Sequence, residues 1–496
     1  MGFYIVIFLF LALPNIVLAG GPACPRPCNP PDDISQKYWY PDPWSPVLLP
    51  NSYNCVYQIN VPQGWSSYVV VTAIPTSNLT NATVVQVIDF NQKVENFQTA
   101  TNEKFYLIAP GGRIKLSTYS TNVSFEFSVQ WYSNVAVHQP KFLNVSASDS
   151  QPIIVSEPNL LDEYPSNSRV TAETRVSAIT IPFDNMFERA EYTKNLRSIL
   201  IFDGPNENST CLGTAYQLLN SDRQWASTGK FLTIVQLQPL PYVMGSPLLI
   251  QDFESTKELG EYRGVGDLNT LSVVMNASKQ ASAFSTYSPY ASTSECLVNI
   301  TGTGTLDVYY GGITESKRNL IASYSASSMA PNLPQLLRGV VRTYVLTGGI
   351  ATVNVNRYGF HCNRMEKNIH GFITSPEYKT NLSLLTPRNS TFYYSAGPFN
   401  YTLNVRNVDL SQNKSLQLKI TNNKMEVLNL VYNSSNPPML KTVLSGVGNE
   451  MEVIYSSPLD AKKYGFYIDF TATKVNESAA KSFFVSILRF FGLNFF

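Results

Sequence analysis

The chain has 496 residues and a formal net charge of +1, and charged side chains make up only 14% of it. This composition lacks the clustered basic charge of proteins that bind nucleic acid or anionic membranes, so neither is expected as a partner. At roughly 100 to 200 residues per domain, the length predicts several domains. Aromatic residues reach 12%, which suits half-buried pleated surfaces and predicts an all-β fold.

The first 19 residues form an uncharged, nearly continuous apolar stretch. Val17 and Ala19 supply the small residues that signal peptidase requires, which predicts a signal peptide over residues 1–19. The alternative is an uncleaved membrane anchor. Pro14 and Asn15 interrupt the run, and a spanning helix needs about 20 apolar residues, so export through the secretory pathway is the expectation.

Short runs rich in Val, Ile, Tyr, Phe and Thr follow, separated by Gly, Pro and Asn turns. Such runs predict β-sandwiches, and similar strand pairs return about every 100 residues. We therefore predict four sandwich domains at residues 20–140, 141–255, 256–358 and 359–475, followed by a hydrophobic tail at 476–496. A rival layout has two sandwich ends around one larger, irregular middle domain.

Two segments resemble known CUB-type sequences. The N-terminal segment contains Tyr38-Trp39-Tyr40-Pro41, a strand opened by Cys55, and Phe125-Glu126-Phe127-Ser128-Val129-Gln130-Trp131-Tyr132, and it resembles the nematode CUB-like domain family. Near the C-terminus, Gly371-Phe372-Ile373-Thr374-Ser375-Pro376-Glu377-Tyr378 is similar to the first strand of ordinary CUB domains. The resemblance implies tandem CUB-like jelly-roll sandwiches, with the third domain divergent. It also implies a role in innate immune responses and membrane rafts.

Export makes all six cysteines candidates for disulfides. The CUB resemblance implies that Cys28 or Cys24 bonds to Cys55. Cys296 with Cys362 is the second expected pair, and Cys211 with the remaining N-terminal cysteine is the third. Export likewise makes N-glycosylation sequons meaningful, and we expect them on exposed turns and strand edges. The candidate sites are Asn78, Asn81, Asn122, Asn144, Asn208, Asn276, Asn299, Asn381, Asn389, Asn400, Asn413 and Asn433.

The tail offers two interpretations. Its last stretch of about 15 apolar residues is too short to span a bilayer. It could be a discarded signal for a glycosylphosphatidylinositol anchor attached at Asn476, within the segment Asn476-Glu477-Ser478. Arg489 interrupts the apolar run, and the alternative is a helix that docks on the protein or lies on a membrane.

Motifs for catalysis or metal binding are missing from the sequence, so we predict a non-enzymatic protein without cofactors. The three histidines, His138, His361 and His370, form no spaced motif. Ordinary CUB domains often hold calcium through one Glu and two Asp, since calcium requires several oxygen ligands. In the fourth domain the corresponding positions fall on Ser411, on Lys414 or Ser415, and on Ser457. Arg197 takes one such position in the second domain, so no CUB-type calcium site is expected.

The aromatic cluster before the first core strand contains Tyr38, Trp39, Tyr40 and Trp44. Its rings could stack on sugars or anchor a protein partner. Alternatively, they pack beneath the sandwich. The expected function is recognition of an unidentified protein or glycan, for example on a microbial surface, by a secreted or lipid-anchored glycoprotein. A structural or adhesive role in the extracellular matrix is the alternative.

Overall fold

The protein is all-β, as the sequence predicts. The computed structural model describes residues 23–25, 27–41, 46–76, 83–133, 140–147, 153–155, 166–182, 193–237, 247–266, 270–288, 294–327, 332–356, 360–380, 388–411, 413–458 and 465–475. In this part of the chain, no helix is long and apolar enough to cross a membrane. The predicted signal peptide and tail lie outside the described residues. The chain divides into two compact units, residues 1–136 and 137–496.

The first unit holds one sandwich. Its strands are β1 (Tyr38–Tyr40), β2 (Val47–Leu49), β3 (Asn54–Asn60), β4 (Trp65–Pro75), β5 (Thr83–Ile88), β6 (Val94–Phe97), β7 (Ala100–Ile108), β8 (Gly111–Thr118) and β9 (Val123–Ser133). One sheet has the order β1-β9-β4-β7, with β2 also paired to β9, and the other has the order β3-β8-β5-β6. Both sheets contribute side chains to one apolar core.

Residue alternation decides which face of each strand joins this core. Along β4, Val69, Val71 and Ala73 are fully buried, whereas Val70 and Thr72 between them are partly exposed. The tight connection from β7 to β8 requires a glycine. Gly111 has a φ of +112°, and a Cβ there would lie 2.0 Å from the carbonyl oxygen of Ile59.

The second domain has two sheets, β10-β12-β17-β14-β15 and β11-β18-β13-β16. Its strands are β10 (Lys141–Val145), β11 (Ile153–Val155), β12 (Ser166–Ala172), β13 (Val176–Thr180), β14 (Ile199–Asp203), β15 (Thr210–Thr214), β16 (Trp225–Ala226), β17 (Phe231–Gln236) and β18 (Leu248–Asp252). Short 3₁₀ helices occupy Leu196–Ser198 and Phe253–Ser255. Helix α1 (Ala215–Leu219) follows β15 and begins with a capping box between Thr214 and Gln217.

The third domain pairs the sheets β19-β21-β26-β23-β24 and β20-β27-β22-β25. Its strands are β19 (Leu259–Gly264), β20 (Thr270–Ala277), β21 (Ala281–Tyr287), β22 (Glu295–Gly302), β23 (Thr305–Tyr310), β24 (Leu320–Ser325), β25 (Gln335–Leu337), β26 (Val341–Thr347) and β27 (Gly349–Asn356). Thus the middle of the chain contains two separate pairs of sheets. The boundaries that the sequence assigns to the four domains remain predictions.

The fourth domain is built on one seven-stranded sheet, ordered β29-β34-β30-β33-β31-β32 with β28 paired to β30. Its elements are α2 (Phe360–Asn363), β28 (Arg364–Met365), β29 (Ile369–Thr374), β30 (Arg388–Val408), β31 (Ser415–Asn422), β32 (Met425–Tyr432), β33 (Val443–Ser456) and β34 (Phe466–Lys474). A register shift between Tyr394 and Phe399 interrupts the long β30–β33 pair. Side chains from both halves of this pair meet in one core.

Within the unit 137–496, the third domain packs against both of its neighbours. Ile179 and Leu249 of the second domain share an apolar cluster with Tyr262 and Val341 of the third. On the other side, the Gln335 side chain donates to the carbonyl oxygen of Phe372 and accepts from its backbone nitrogen. The Cys296–Cys362 disulfide joins β22 to α2. These three domains therefore pack as neighbours with shared cores.

Candidate functional site

The histidine positions that the sequence offers as metal ligands are only partly within the described residues. His138 and the side chain of His361 lie outside the described residues, and His370 is exposed on β29. The described residues contain no group of three or more His, Cys, Asp or Glu side chains that could hold a metal ion. In the second domain, Arg197 is buried and its guanidinium lies 4.6 Å from the ring centroid of Tyr216.

In the fourth domain, Lys414 lies at one of the positions that correspond to calcium ligands in ordinary CUB domains. The buried Lys414 ammonium donates to one carboxylate oxygen of Asp409, and the Ser411 hydroxyl donates to the other at 2.6 Å. Burial raises the Asp409 pKa, but the hydrogen bonds from Lys414 and Ser411 outweigh it, so the pKa is lowered. Ser415 begins β31, and Ser457 donates to the backbone of Pro458. This arrangement is an internal ion pair, and the absence of a calcium site stays a prediction.

The structure resolves the disulfide alternatives. Cys24 bonds to Cys55 and Cys296 to Cys362, with Cα–Cα distances of 5.6 and 5.8 Å, within the range that disulfides adopt. The third predicted pair is not formed. Cys28 is a thiol in the core of the first domain, where burial raises its pKa to about 11, although a hydrogen bond to Tyr38 lowers it. Its backbone is fixed there by a hydrogen bond to Gln58.

Cys211 belongs to β15 of the second domain, where its sulfur donates to the carbonyl oxygen of Ile201. Each of the two remaining cysteines is therefore held within its own sandwich, and this accounts for the incorrect third pair.

The predicted aromatic cluster divides between two faces of β1. Tyr38 and Tyr40 pack on the core, with ring centroids 6.0 and 5.5 Å from that of Phe127. Trp39 between them belongs to the opposite, outward face, where it pairs with Ser128 of β9. Trp44 lies outside the described residues. Packing thus accounts for two of these aromatics, and Trp39 contributes to a surface.

That outward face carries further aromatic residues on the neighbouring strands. Tyr68 of β4 is directly opposite Tyr106 of β7, and their ring centroids are 5.3 Å apart. Tyr132 of β9 is opposite Ser66, two residues from Tyr68 on the same face. Tyr132 is 36% exposed and Tyr106 only 8%. We refer to Trp39, Tyr68, Tyr106 and Tyr132 as the aromatic face.

Two phenols of the aromatic face, those of Tyr68 and Tyr106, are neutral at physiological pH. Burial raises the pKa values of Tyr68 and Tyr106, and the proximity of the Tyr132 phenol raises both further. Each of these two phenols therefore keeps its proton and can donate a hydrogen bond. Gln130, opposite Tyr68, adds an amide. The surface can stack on flat or apolar groups and form hydrogen bonds, which are properties suited to recognition.

The described sequons lie elsewhere. Asn122 precedes β9 at the end of that strand far from Tyr132. All sequon asparagines whose side chains are described are exposed, namely Asn122, Asn144, Asn208, Asn276, Asn299, Asn400, Asn413 and Asn433. Asn78, Asn81, Asn381 and Asn476, and the side chain of Asn389, lie outside the described residues. No sequon among the described residues belongs to the aromatic face.

Sequence reasoning found Trp39 but missed the other three residues of this face. Tyr106 and Tyr132 lie in strands that the sequence predicts, and alternation could have placed each of them on an outward face. Which outward residues become neighbours depends on the pairing register between β4, β7 and β9. This register joins residues that are distant in sequence.

Three family models match the chain. Residues 20–134 match the CUB-like domain. Residues 144–237 match a domain of unknown function (DUF7592), and residues 254–358 match a second one (DUF7591). No curated protein matches.

Solved structures also match, at low identity. The CUB1-EGF-CUB2 domain of human MASP-1/3 is 12% identical and covers 43% of this chain and 98% of its own, and the CUB1-EGF-CUB2 domains of rat MASP-1 are 11% identical and cover 66% and 99%. The triple jelly-roll protein of an archaeal virus turret is 8% identical and covers 91% and 97%. Each has a TM-score of 0.16, so none carries an argument about function. The family match identifies the N-terminal segment, residues 20–134, as a CUB-like domain.

Proposed function

We propose that this chain is a secreted or lipid-anchored, non-enzymatic glycoprotein that acts in recognition, as a receptor-like or effector protein of innate immunity. CUB-like domains are extracellular and often bind proteins. Two disulfides and eight exposed sequon asparagines among the described residues fit that environment. The immune assignment extends the resemblance of the N-terminal segment to the nematode CUB-like family.

The observation that carries the proposal is the aromatic face. Tyrosine and tryptophan are the residues that most often dominate binding energy at interfaces, because they offer large, rigid contact areas with a polar tip. Here they are gathered on one face of one sheet, and no described sequon belongs to it. A glycan attached elsewhere would leave this surface open to a partner.

The proposed cellular location rests on the predicted signal peptide and the predicted lipid-anchor signal. The apolar leader at 1–19 directs export, and Asn476 is the proposed attachment site for a glycosylphosphatidylinositol anchor that places the protein in membrane rafts. Treatment of intact cells with phosphatidylinositol-specific phospholipase C should release the protein. Complete retention on the cells would contradict the lipid anchor and leave the recognition proposal unaffected.

An adhesive or structural matrix protein is the second candidate, since sandwich modules with disulfides serve that purpose equally well. The test compares binding of the purified, glycosylated segment 20–475 to intact bacteria and to host extracellular matrix. Saturable binding to bacteria alone supports recognition in immunity. Binding to matrix alone supports adhesion and contradicts the immune assignment.

A further inference from the structure

We propose that the fourth domain binds an extended, basic segment of a protein partner, in which two lysine or arginine residues are separated by one residue. The surface that binds it consists of Phe392, Tyr394, Glu450 and Glu452, and we refer to it as the ring–carboxylate surface. It lies in a different domain from the aromatic face and adds a second recognition surface to the chain.

The two rings of this surface face outward from strand β30. Phe392 and Tyr394 are 38 and 37% exposed, whereas Thr391 and Tyr393 are buried. The ring centroids of Phe392 and Tyr394 are 6.0 Å apart, and the ring planes differ by 22°. The two rings therefore lie side by side on the outside of the sheet, where their flat surfaces can contact a partner.

A carboxylate lies beside each ring. On β33, Glu452 is opposite Phe392 and Glu450 is opposite Tyr394. Directly opposite residues of an antiparallel pair have Cβ atoms about 5 Å apart. The hydroxyl of a neighbouring serine or threonine donates a hydrogen bond to each carboxylate, at 2.7 and 2.8 Å. The carboxylates are thus held next to the rings by neutral groups.

The charges around this surface leave it negative. Lys419 lies opposite Glu452 on β31, but it forms its ion pair with Glu426 at 2.8 Å. Arg364 on β28 is paired with Glu366 at 3.3 Å. Two cations against four carboxylates leave this region with a net charge of −2. A chain whose formal net charge is +1 therefore presents a locally acidic surface here.

A lysine or arginine of a partner can use both components of the surface. A cation within about 6 Å of a ring centroid is attracted to the face of the ring. The adjacent carboxylate adds a charge-assisted hydrogen bond. A neutral ligand gains only the contact with the ring, and an acidic ligand is repelled. Charge complementarity therefore favours a basic partner.

The spacing of the two ring–carboxylate pairs favours an extended segment. Phe392 and Tyr394 are two residues apart on one strand, which places their Cα atoms about 7 Å apart. Side chains of an extended partner return to the same face at the same interval. Two basic residues separated by one residue can each reach one ring and one carboxylate. Two adjacent basic residues point to opposite sides, so only one of them can do so.

The test measures binding of two labelled peptides to the full chain, purified from a glycosylating cell line, by fluorescence anisotropy at low salt. One serine-rich peptide carries two lysines separated by one residue, and the reference peptide has the same composition with adjacent lysines. We expect the first peptide to bind about threefold more tightly, because both of its cations reach a ring. Equal binding of the two peptides would overturn the inference.

Two variants test the carboxylates. E450Q/E452Q removes both charges and keeps an oxygen acceptor for each neighbouring hydroxyl, and we expect binding about fivefold weaker. E258Q/E315Q is the matched control, because it removes two exposed carboxylates of the third domain. The control should bind as the wild type does. An equal loss in both variants would indicate non-specific attraction to negative charge and overturn the inference, as would unchanged binding of E450Q/E452Q.

A third variant tests the rings. F392A/Y394A should bind the peptide about fivefold more weakly, and circular dichroism verifies that it is folded. Should the double variant not fold, Y394A alone gives the same readout with about a twofold loss. Unchanged binding of the folded ring variant would overturn the inference. So would binding of a neutral oligosaccharide that F392A/Y394A abolishes and E450Q/E452Q leaves intact, which would assign the surface to glycans.

Discussion

The outward sheet faces of the first and third domains are both rich in tyrosine, but they differ in what covers them. In the third domain, Tyr262 and Tyr309 are 1 and 2% exposed because they pack against the second domain. The Tyr262 hydroxyl also accepts a hydrogen bond from Gln251 of that domain at 2.8 Å. In the first domain, Tyr68 is partly exposed and Tyr132 is 36% exposed.

The difference shows that residue composition does not by itself distinguish an interdomain contact from a binding surface. A tyrosine offers an apolar ring and a polar tip to either kind of neighbour. In the third domain, both requirements are met within the chain. In the first domain, part of the ring surface remains accessible, and an external partner could cover it.

We expect the largest loss of stability from a substitution in the tyrosine-rich face of the third domain that packs against the second domain. Tyr262→Ala removes a fully buried ring and leaves the Gln251 amide without its acceptor. Truncation of a buried aromatic costs about 4 kcal/mol, so urea unfolding of the unit 137–496 should shift to markedly lower denaturant. A loss below about 1 kcal/mol would show that the contact between the second and third domains contributes little to stability.

The two faces of β1 allow a sharper comparison between adjacent residues. Tyr40→Ala removes a ring whose centroid is 4.9 Å from that of Tyr57 in the core, and we expect a loss of about 2 kcal/mol. Trp39→Ala, on the outward face, should cost less than about 1 kcal/mol. Thermal unfolding of the first domain measures both. The reverse order would mean that Trp39 serves packing, which removes it from the aromatic face.

We expect the smallest effect on stability at alkaline pH, where the Tyr106 phenol loses its proton. Burial raises the Tyr106 pKa above its ordinary value of 10.0, so the folded state keeps a proton that the unfolded chain has released. This contribution to stability is complete below the unfolded pKa and is lost as the pH rises toward the folded one. Tyr106→Phe should therefore lose less stability than the wild type between about pH 9 and about pH 11. Equal losses would indicate that Tyr106 ionises as readily in the folded protein as in the unfolded chain.

The sequence predicts the fold more completely than the surface. Alternation along the strand opened by Cys55 and along β9 is a local property, and each of these strands forms where it is expected. The aromatic face depends on the register between strands, which is set by the whole domain. Cys28 shows the same limit, because its burial beside Gln58 and Asn60 in the core could not be deduced from its spacing to Cys24.

The central claim is that the aromatic face binds the partner, and paired alanine variants test it most directly. The double variant Y68A/Y132A should bind intact bacteria at least about tenfold more weakly than the wild-type glycosylated segment 20–475, as expected for interface aromatics. Tyr119→Ala is the matched control, because Tyr119 is 56% exposed and lies outside this face. Circular dichroism verifies that all variants are folded. Unchanged binding of the folded double variant would contradict the account.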